Sequence, residues 1–238
     1  MGITELLTRQ VDESRPDSLS QRMRAKRFAQ FEAFAAKLPR PLTVVDIGGT
    51  TSFWETRGWA GRDDVKVTLV NLFAEEQRHD NVIPTVGDAT ALEFEDGAFD
   101  LAFSNSVIEH LFTYEQQVRM AQEVRRVADA YWVQTPNFWF PLEPHFLFPG
   151  WQWLPVPVRV AILQRRRVGQ MGRCPDRAFA EERVREVRLM RRAELQRLFP
   201  GATMVPERLG GMVKSWTAVS PGLMTPAEAG REPARAAA

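Results

Sequence analysis

The 238-residue sequence has little of several features that would assign a protein class at once. It contains one cysteine, Cys174, so no internal disulfide can form, and we expect a reducing, cytoplasmic location. The net charge of +1 provides no global attraction for nucleic acid, and we expect no nucleic-acid partner. No apolar run is long enough to span a bilayer, and residues 1–10 lack the apolar core of a signal peptide.

The sequence does contain a regular alternation of β-branched runs and helical patterns. Five short apolar runs predict buried strands, at 42–47, 65–72, 82–86, 99–103 and 131–134. Helical spacing of apolar residues predicts helices at 19–38, from Phe53, at 115–128 and at 192–199. Two last runs, 203–208 and 212–219, flank Gly210-Gly211 and predict a hairpin. The expected fold class is α/β, a doubly wound, mostly parallel seven-stranded sheet with a C-terminal antiparallel hairpin, an N-terminal helix and a lid-like insertion.

Small and polar residues gather where the predicted strands end. The first strand runs into the turn Asp46 to Ser52, whose small residues let the backbone approach a ligand closely. Asn71 ends the second strand, Asp88 and Ala89 follow the third, and Ser104 follows the fourth. Because such points converge on one crevice of a doubly wound sheet, these residues predict a ligand site at its carboxyl edge.

This combination resembles the class I S-adenosylmethionine-dependent methyltransferases, close to their small-molecule branch, over residues 43 to about 135. The resemblance implies S-adenosylmethionine as the cofactor and methyl transfer as the activity. It implies that Asp46 and Gly48 frame the methionine part of the cofactor, with Gly49 and Thr50 in the same binding turn, that Asn71 lies at the ribose hydroxyls, that Asp88 and Ala89 contact the adenine edge, and that Ser104 offers backbone near the methionine moiety.

The sequence departs from the family pattern in two places. Thr50 and Ser52 stand where the family usually has glycine, and Asn71 stands where it usually has Asp or Glu. An amide can still hydrogen-bond a diol, but without the charge assistance of a carboxylate, so we expect either a lower cofactor affinity or a slightly different position of the cofactor. The alternative interpretations are that Asn71 only caps a strand and that Asp88 is a turn residue before a helix.

The resemblance and the pattern together divide the chain into five parts. They are an N-terminal helical segment at 1–41, a cofactor-binding Rossmann-like core at 42–135, a substrate-side insertion or lid at 136–191, the C-terminal helix and hairpin of the core at 192–219, and a disordered tail at 220–238.

Of three histidines, His145 is the candidate general base for a hydroxyl acceptor. It lies in an aromatic, proline-rich loop that leaves the fifth strand at the predicted catalytic edge, and Glu143 is the candidate to orient it or to bind a substrate hydroxyl. The alternative is a structural histidine packed among aromatic rings. Further candidates for binding the acceptor are Glu109, His110, Asn137 and Trp139. A divalent metal is compatible with Glu109, Glu143 or a histidine as ligands, but no tight ligand cluster indicates one.

Two features of the insertion leave the acceptor open. Six aromatic residues fall within fifteen positions, namely Trp139, Phe140, Phe146, Phe148, Trp151 and Trp153. They suit a sugar ring, a lid on the sheet, or a lipid-facing segment followed by Arg165-Arg166-Arg167. Residues 159–192 hold eleven arginines and four acidic residues, which fits either recognition of an anion or a solvated helix face.

Three functions are consistent with these residues. The first is O-methylation of a small hydroxylated acceptor, such as a saccharide or glycoside. The second is methylation of a lipid or lipid-linked acceptor, with peripheral membrane contact. The third is a binding protein that keeps the fold without catalysis. A homodimer through the N-terminal helix or the insertion is compatible with all three.

Overall fold

The computed structural model describes residues 19–169 and 172–224, and these divide into two compact units. The sheet unit contains Phe34–Trp139 and the described part of Glu186–Arg231. The insertion unit contains Phe140–Arg185, except residues 170 and 171, and the described part of Met1–Ala33. No helix within the described ranges is long and apolar enough to cross a membrane.

The sheet unit is built on seven strands in the order β3-β2-β1-β4-β5-β9-β8. The strands are β1 (Leu42–Ile47), β2 (Val65–Asn71), β3 (Val82–Val86), β4 (Phe99–Asn105), β5 (Ala128–Pro136), β8 (Thr203–Leu209) and β9 (Met212–Val219). The first five strands are parallel, whereas β9 runs antiparallel to both β5 and β8. This sheet confirms the predicted fold class, including the C-terminal hairpin.

Helices complete both units. They are α1 (Leu19–Ala35), α2 (Thr51–Thr56), α3 (Tyr114–Val127), α4 (Val156–Arg165), α5 (Arg177–Glu186) and α6 (Arg192–Leu198). Of these, α4 and α5 belong to the insertion unit, together with the small hairpin of β6 (Leu142–Glu143) and β7 (Phe148–Pro149). The sequence pattern did not predict α4 and α5, because α4 is apolar on two sides and α5 carries few apolar residues.

Burial explains why these segments form these elements. Leu42, Val44, Val45 and Ile47 of β1 are all buried, as expected for a central parallel strand with both faces covered. Helix α3 buries Met120, Ala121, Val124 and Val127 against the sheet, and the Thr113–Gln116 capping box fixes where it begins.

Several boundaries differ from the sequence predictions. Strand β4 continues to Asn105 because Ser104 and Asn105 pair with β5, so Ser104 lies inside the strand and not beyond it. Helix α1 ends at Ala35 and not at Leu38. Residues 220–224 pack against the sheet, since Ser220 N donates to Tyr131 O at 3.1 Å. The remainder of the predicted tail, 225–238, lies outside the described residues.

Candidate functional site

The direction in which the chain crosses the sheet reverses between β1 and β4. Strands β2 and β3 lie on one side of β1, and β5 lies on the far side of β4. Open parallel sheets bind ligands outside the carboxyl ends of the strands at this point. The two strand ends are joined there, because Ser104 Oγ donates to Ile47 O at 3.2 Å. The turn that follows β1 therefore occupies the position where a ligand is expected.

Two glycines let this turn come close to its surroundings. Gly48 has a φ of 80°, and a Cβ added there would lie 2.5 Å from Cγ2 of Val107. A Cβ added at Gly49 would lie 1.6 Å from Oδ2 of Asp46. Since real Cβ atoms do not approach other atoms this closely, both positions require glycine in this arrangement. We call this turn, Asp46 to Ser52, the cradle; its two glycines let the backbone pack closely against Val107 and Asp46.

Asp46 is a buried carboxyl group directly beneath the cradle. It is 1% exposed, and Trp54 Nε1 donates to its Oδ2 at 2.7 Å. Its Oδ1 has no hydrogen-bond partner within the described residues. Burial raises the pKa of Asp46 to about 7, the Trp54 hydrogen bond opposes this shift, and the negative charge of Glu75 adds to it. Asp46 therefore titrates near neutral pH, and a cation bound in the cradle would favour its charged form.

We expect Asp46→Asn to remove a pH dependence of stability. The folded-state pKa is raised, so the cost of ionising Asp46 is absent below its unfolded pKa of 3.8 and grows as pH rises to about 7. Between pH 5 and 8 the wild-type free energy of unfolding should fall by roughly 2–3 kcal/mol more than that of the variant. Urea denaturation at both pH values measures this, with the exposed Asp129→Asn as a control. Parallel pH profiles for wild type and Asp46→Asn would contradict the assignment.

Thr50 and the neighbouring Thr51 have clear roles at the start of α2. Thr50 is the N-cap of the helix, and its hydroxyl accepts a hydrogen bond from Phe53 N at 3.4 Å. Thr51 donates from both its backbone N and its Oγ1 to Oε2 of Glu75, at 3.1 and 2.9 Å. Thr50, which stands where the family usually has glycine, therefore caps helix α2.

Glu75 and Trp54 contact the turn that follows β1, and the sequence interpretation did not include them. Glu75 lies four residues after the end of β2, in a loop long enough to fold back over α2. A carboxylate that close to the end of the second strand was a usable signal, because the expected acidic residue is absent at Asn71 itself. Trp54 gave no signal, since its partner is set by the packing of α2.

Asn71 and Asp88 are positioned at the predicted carboxyl edge, and both make local contacts. The side-chain amide of Asn71 donates to Gly49 O and so ties the end of β2 to the cradle. Oδ1 of the exposed Asp88 accepts from Thr90 N at 2.8 Å and from Thr90 Oγ1 at 2.9 Å. Residues 88–91 form a tight turn and not the start of a helix. Ala89 is half-buried against the core.

Apolar side chains stand exposed next to these two residues. Leu72 and Phe73 follow Asn71 and are 69% and 78% exposed, and Val86, two residues before Asp88, is 60% exposed. Isolated exposed apolar residues are common, but three at the ends of adjacent strands form an apolar surface with a polar edge. A flat heteroaromatic base with polar edges fits such a surface.

The candidates Glu109, His110 and Asn137 are engaged within the sheet unit. Glu109 and His110 form one 3-10 turn after β4, and the fully buried Glu109 accepts from Thr135 Oγ1 at 3.0 Å. The Asn137 amide donates to Val213 O at 2.8 Å, while its Oδ1 accepts from Trp139 N at 3.3 Å. Because both ends of the Asn137 side chain are occupied, its present contacts favour a structural role.

Trp139 presents the most accessible ring among these candidates. It is 60% exposed and packs edge-on against Phe138, with ring centroids 5.0 Å apart. The Arg191 guanidinium lies over both rings, 5.0 Å from Phe138 and 5.5 Å from Trp139. The pair of rings and the cation form an exposed amphipathic surface.

His145 and Glu143 form a hydrogen-bonded pair inside the insertion unit. Nδ1 of His145 lies 2.6 Å from Oε1 of Glu143, and the other carboxylate oxygen, Oε2, accepts from Phe146 N at 2.6 Å. Glu143 is 0% exposed, whereas His145 is partly accessible. Burial lowers the pKa of Arg159, and the charge of Glu143 opposes this shift. Its two hydrogen bonds hold the Glu143 carboxylate in place, and this carboxylate in turn orients the His145 imidazole.

Most of the six aromatic residues are core residues and do not form a sugar-facing surface. Phe146 stacks on Trp151 at 4.5 Å, and both rings are buried. Phe140 is also buried, and Phe148 is half-buried against Trp151. Only Trp139 and Trp153 of this group are largely exposed. The buried members therefore pack within the insertion unit.

Comparison with known proteins gives a family match in the middle of the chain. Residues 55–130 match the family model of a methyltransferase domain. Two uncharacterized proteins of Mycobacterium tuberculosis, from strains CDC 1551 and H37Rv, are each 39% identical over 67 residues, or 28% of this chain. The match spans only 23% of the length of these curated relatives.

Several solved structures have a similar chain path at low sequence identity, and two of them are methyltransferases. The N-methyltransferase NodS of Bradyrhizobium japonicum is 10% identical, with a TM-score of 0.49 over 83% of this chain and 96% of that one. A methyltransferase of Methanosarcina mazei is 14% identical, with a TM-score of 0.47 over 75% of this chain and 91% of that one. These values describe a distant likeness and say nothing about the acceptor.

The family match includes the strand-end residues Asn71, Asp88 and Ser104, and the cradle at Gly48 and Gly49 directly precedes it. Its boundaries fall within the sheet unit, from α2 to β5. The resemblance stated from the sequence is confirmed at the level of a methyltransferase domain, which residues 55–130 match.

Proposed function

We propose that this chain is an S-adenosylmethionine-dependent methyltransferase that methylates a hydroxyl group of a small acceptor, such as a saccharide or glycoside. The observation that carries the hydroxyl acceptor is the Glu143–His145 pair, a buried carboxylate 2.6 Å from a partly accessible imidazole. The cofactor supplies an electrophilic methyl group, and a hydroxyl acceptor that attacks it must lose its proton, so a base beside the acceptor assists the transfer.

The residues of the sheet unit bind the cofactor in this proposal. The cradle of Gly48, Gly49 and Thr50 surrounds the methionine part, with Asp46 beneath it and the Ser104 backbone nearby. Asp46 supplies a charge that a bound cation stabilises, because its pKa lies near neutral pH without a ligand. Asn71, with Glu75 as the nearby carboxylate, serves the ribose hydroxyls. Asp88 and Ala89 serve the adenine edge, flanked by the exposed Leu72, Phe73 and Val86.

His145 acts as the general base. Its Nδ1 donates to Glu143, so the basic lone pair is on Nε2, where it takes the proton of the acceptor hydroxyl. Glu143 is a positioning residue that fixes the tautomer and stabilises the imidazolium formed during the reaction. Both of its oxygens are already hydrogen-bonded, which favours this role over direct binding of the substrate.

Trp139 supports an amphipathic, ring-shaped acceptor. Its exposed face next to Arg191 matches the alternating apolar and hydroxylated surface of a sugar, and a guanidinium binds ring hydroxyls or an anionic substituent. A saccharide or glycoside therefore remains the acceptor class that these side chains favour.

Two measurements test the proposal in sequence. Calorimetric titration with S-adenosylmethionine and with S-adenosylhomocysteine should show binding of both; no heat at high ligand concentration would favour the non-catalytic binding protein. Transfer of a radiolabelled methyl group to a panel of monosaccharides, nucleotide sugars and aryl glycosides then tests the acceptor. NMR of the product should show a methyl ether, and a methylated nitrogen or carbon would refute O-methylation.

A further inference from the structure

We propose that the outer face of α4 binds the surface of an anionic lipid bilayer. This inference goes beyond the methyl-transfer reaction and does not depend on the identity of the acceptor. It concerns Val156–Arg165 and the two arginines that follow, all within the insertion unit. We call this surface, made of Pro157, Val158, Ala161, Ile162, Arg165 and Arg166, the α4 face.

Helix α4 is apolar on two opposite sides. Val160 and Leu163 point into the insertion unit and are buried. On the other side, Pro157, Val158, Ala161 and Ile162 line an open groove, and Val158 is 43% exposed. The outer side of a surface helix in a globular protein normally carries polar residues. The outer side of α4 has no polar residue from Pro157 to Ile162, which indicates a surface that is covered by something apolar.

A cluster of positive charge continues directly from this apolar groove. Arg165, Arg166 and Arg167 are all exposed, and none of them forms an ion pair with a carboxylate in the part of the chain that the structure describes. The Arg165 guanidinium turns back to donate to Ala161 O at 3.2 Å, which keeps its charge beside the groove. Trp153, three residues before the helix, is 48% exposed, and tryptophan is frequent at membrane interfaces.

An anionic bilayer surface satisfies both parts of this face at once. Its acyl region accepts the apolar side chains, and its head groups attract the three guanidinium groups. A second copy of the chain fits less well, because a symmetric contact through the same face supplies no acidic side chain to pair with the arginines.

Co-sedimentation with vesicles tests the proposal. The full chain should bind vesicles of phosphatidylcholine with phosphatidylglycerol, should bind pure phosphatidylcholine far more weakly, and should be released by high salt. Replacing Arg165, Arg166 and Arg167 with Gln should weaken binding roughly hundredfold, since each arginine near such a surface contributes about a fivefold factor. The matched control changes three exposed arginines of the sheet unit to Gln: Arg119, Arg197 and Arg208.

The apolar part of the face has its own variant. Val158→Gln with Ile162→Gln should weaken vesicle binding by about tenfold or more without altering net charge. Phe112→Gln with Met212→Gln removes comparable exposed apolar area elsewhere and should leave binding unchanged. Circular dichroism confirms that each variant is folded.

Three outcomes would overturn the proposal. One is the absence of binding to the phosphatidylglycerol vesicles, and another is equal loss of binding in the control and test arginine variants. The third is self-association in sedimentation velocity that the Val158 and Ile162 changes abolish, with no vesicle binding, which would assign the face to a second copy of the chain. Methyl-transfer activity is measured separately in detergent-free buffer, so failure here leaves the proposed reaction untouched.

Discussion

Replacing His145 with alanine should lower kcat by roughly two to four orders of magnitude while leaving the affinity for S-adenosylmethionine unchanged. The reason is that the variant loses the group that accepts the hydroxyl proton and keeps every residue of the cradle. Single-turnover methyl transfer and calorimetric titration measure the two quantities separately. Undiminished turnover would show that another group, or water, takes the proton.

Two companion variants separate the role of a base from a structural role. Glu143→Gln should lower kcat less than His145→Ala and should shift the acidic limb of the pH–rate profile, because the imidazolium loses its carboxylate partner. His79→Ala is the matched control, since His79 Nε2 lies 2.8 Å from Glu55 Oε1 in a similar pair. We expect its turnover and pH profile to match those of the wild type.

Gly49→Ala should disrupt the cradle and abolish measurable cofactor binding. The added Cβ would lie 1.6 Å from Oδ2 of Asp46, so either the turn moves or the carboxylate leaves its hydrogen bond with Trp54. Overpacking together with the loss of a buried hydrogen bond should cost roughly 3 kcal/mol or more in the free energy of unfolding. Gly172→Ala is the control, because a Cβ there meets no atom within 4 Å.

A double-mutant cycle identifies the cause of this loss. If the clash is with the Asp46 carboxylate, Gly49→Ala should cost little stability when Asp46 is already alanine. The stability of four proteins is compared for this purpose: wild type, both single variants and the double variant. An equal cost of Gly49→Ala in both backgrounds would place the conflict with the backbone and not with Asp46.

The sheet could be predicted because its signals are local. The run Leu42–Ile47 is nearly continuous in buried apolar residues, and a central parallel strand requires this pattern. Gly210-Gly211 marked the last hairpin for a similar reason, since both residues have positive φ values. The helices of the insertion gave weaker signals, because α4 is apolar on two sides and α5 carries few apolar residues.

The site could be predicted only in its location. The ends of the predicted strands indicated which edge of the sheet carries the site. The hydrogen-bond partner of each side chain, however, depends on how segments that are distant in the sequence fold back. The carboxylate at position 75 was a signal for this edge of the sheet, but its spacing does not indicate that it reaches Thr51, and nothing at position 54 indicates that its indole meets Asp46. The Glu143–His145 pair was easier to predict, because two residues of separation in a tight hairpin keep both side chains together.

The turn Asp46 to Ser52 is held in one conformation before any ligand binds. Three side chains from outside the turn hydrogen-bond to residues within it and so fix its backbone. The pairs are Asn71 with Gly49, Glu75 with Thr51, and Ser104 with Ile47. A turn that is already ordered loses little conformational entropy when a molecule settles into it. The family's usual glycines leave such a loop free to adapt, whereas threonine and serine at positions 50 and 52 favour a preorganised one. The amide at position 71 lowers the affinity for the cofactor, and the rigidity of the turn would restore part of this loss.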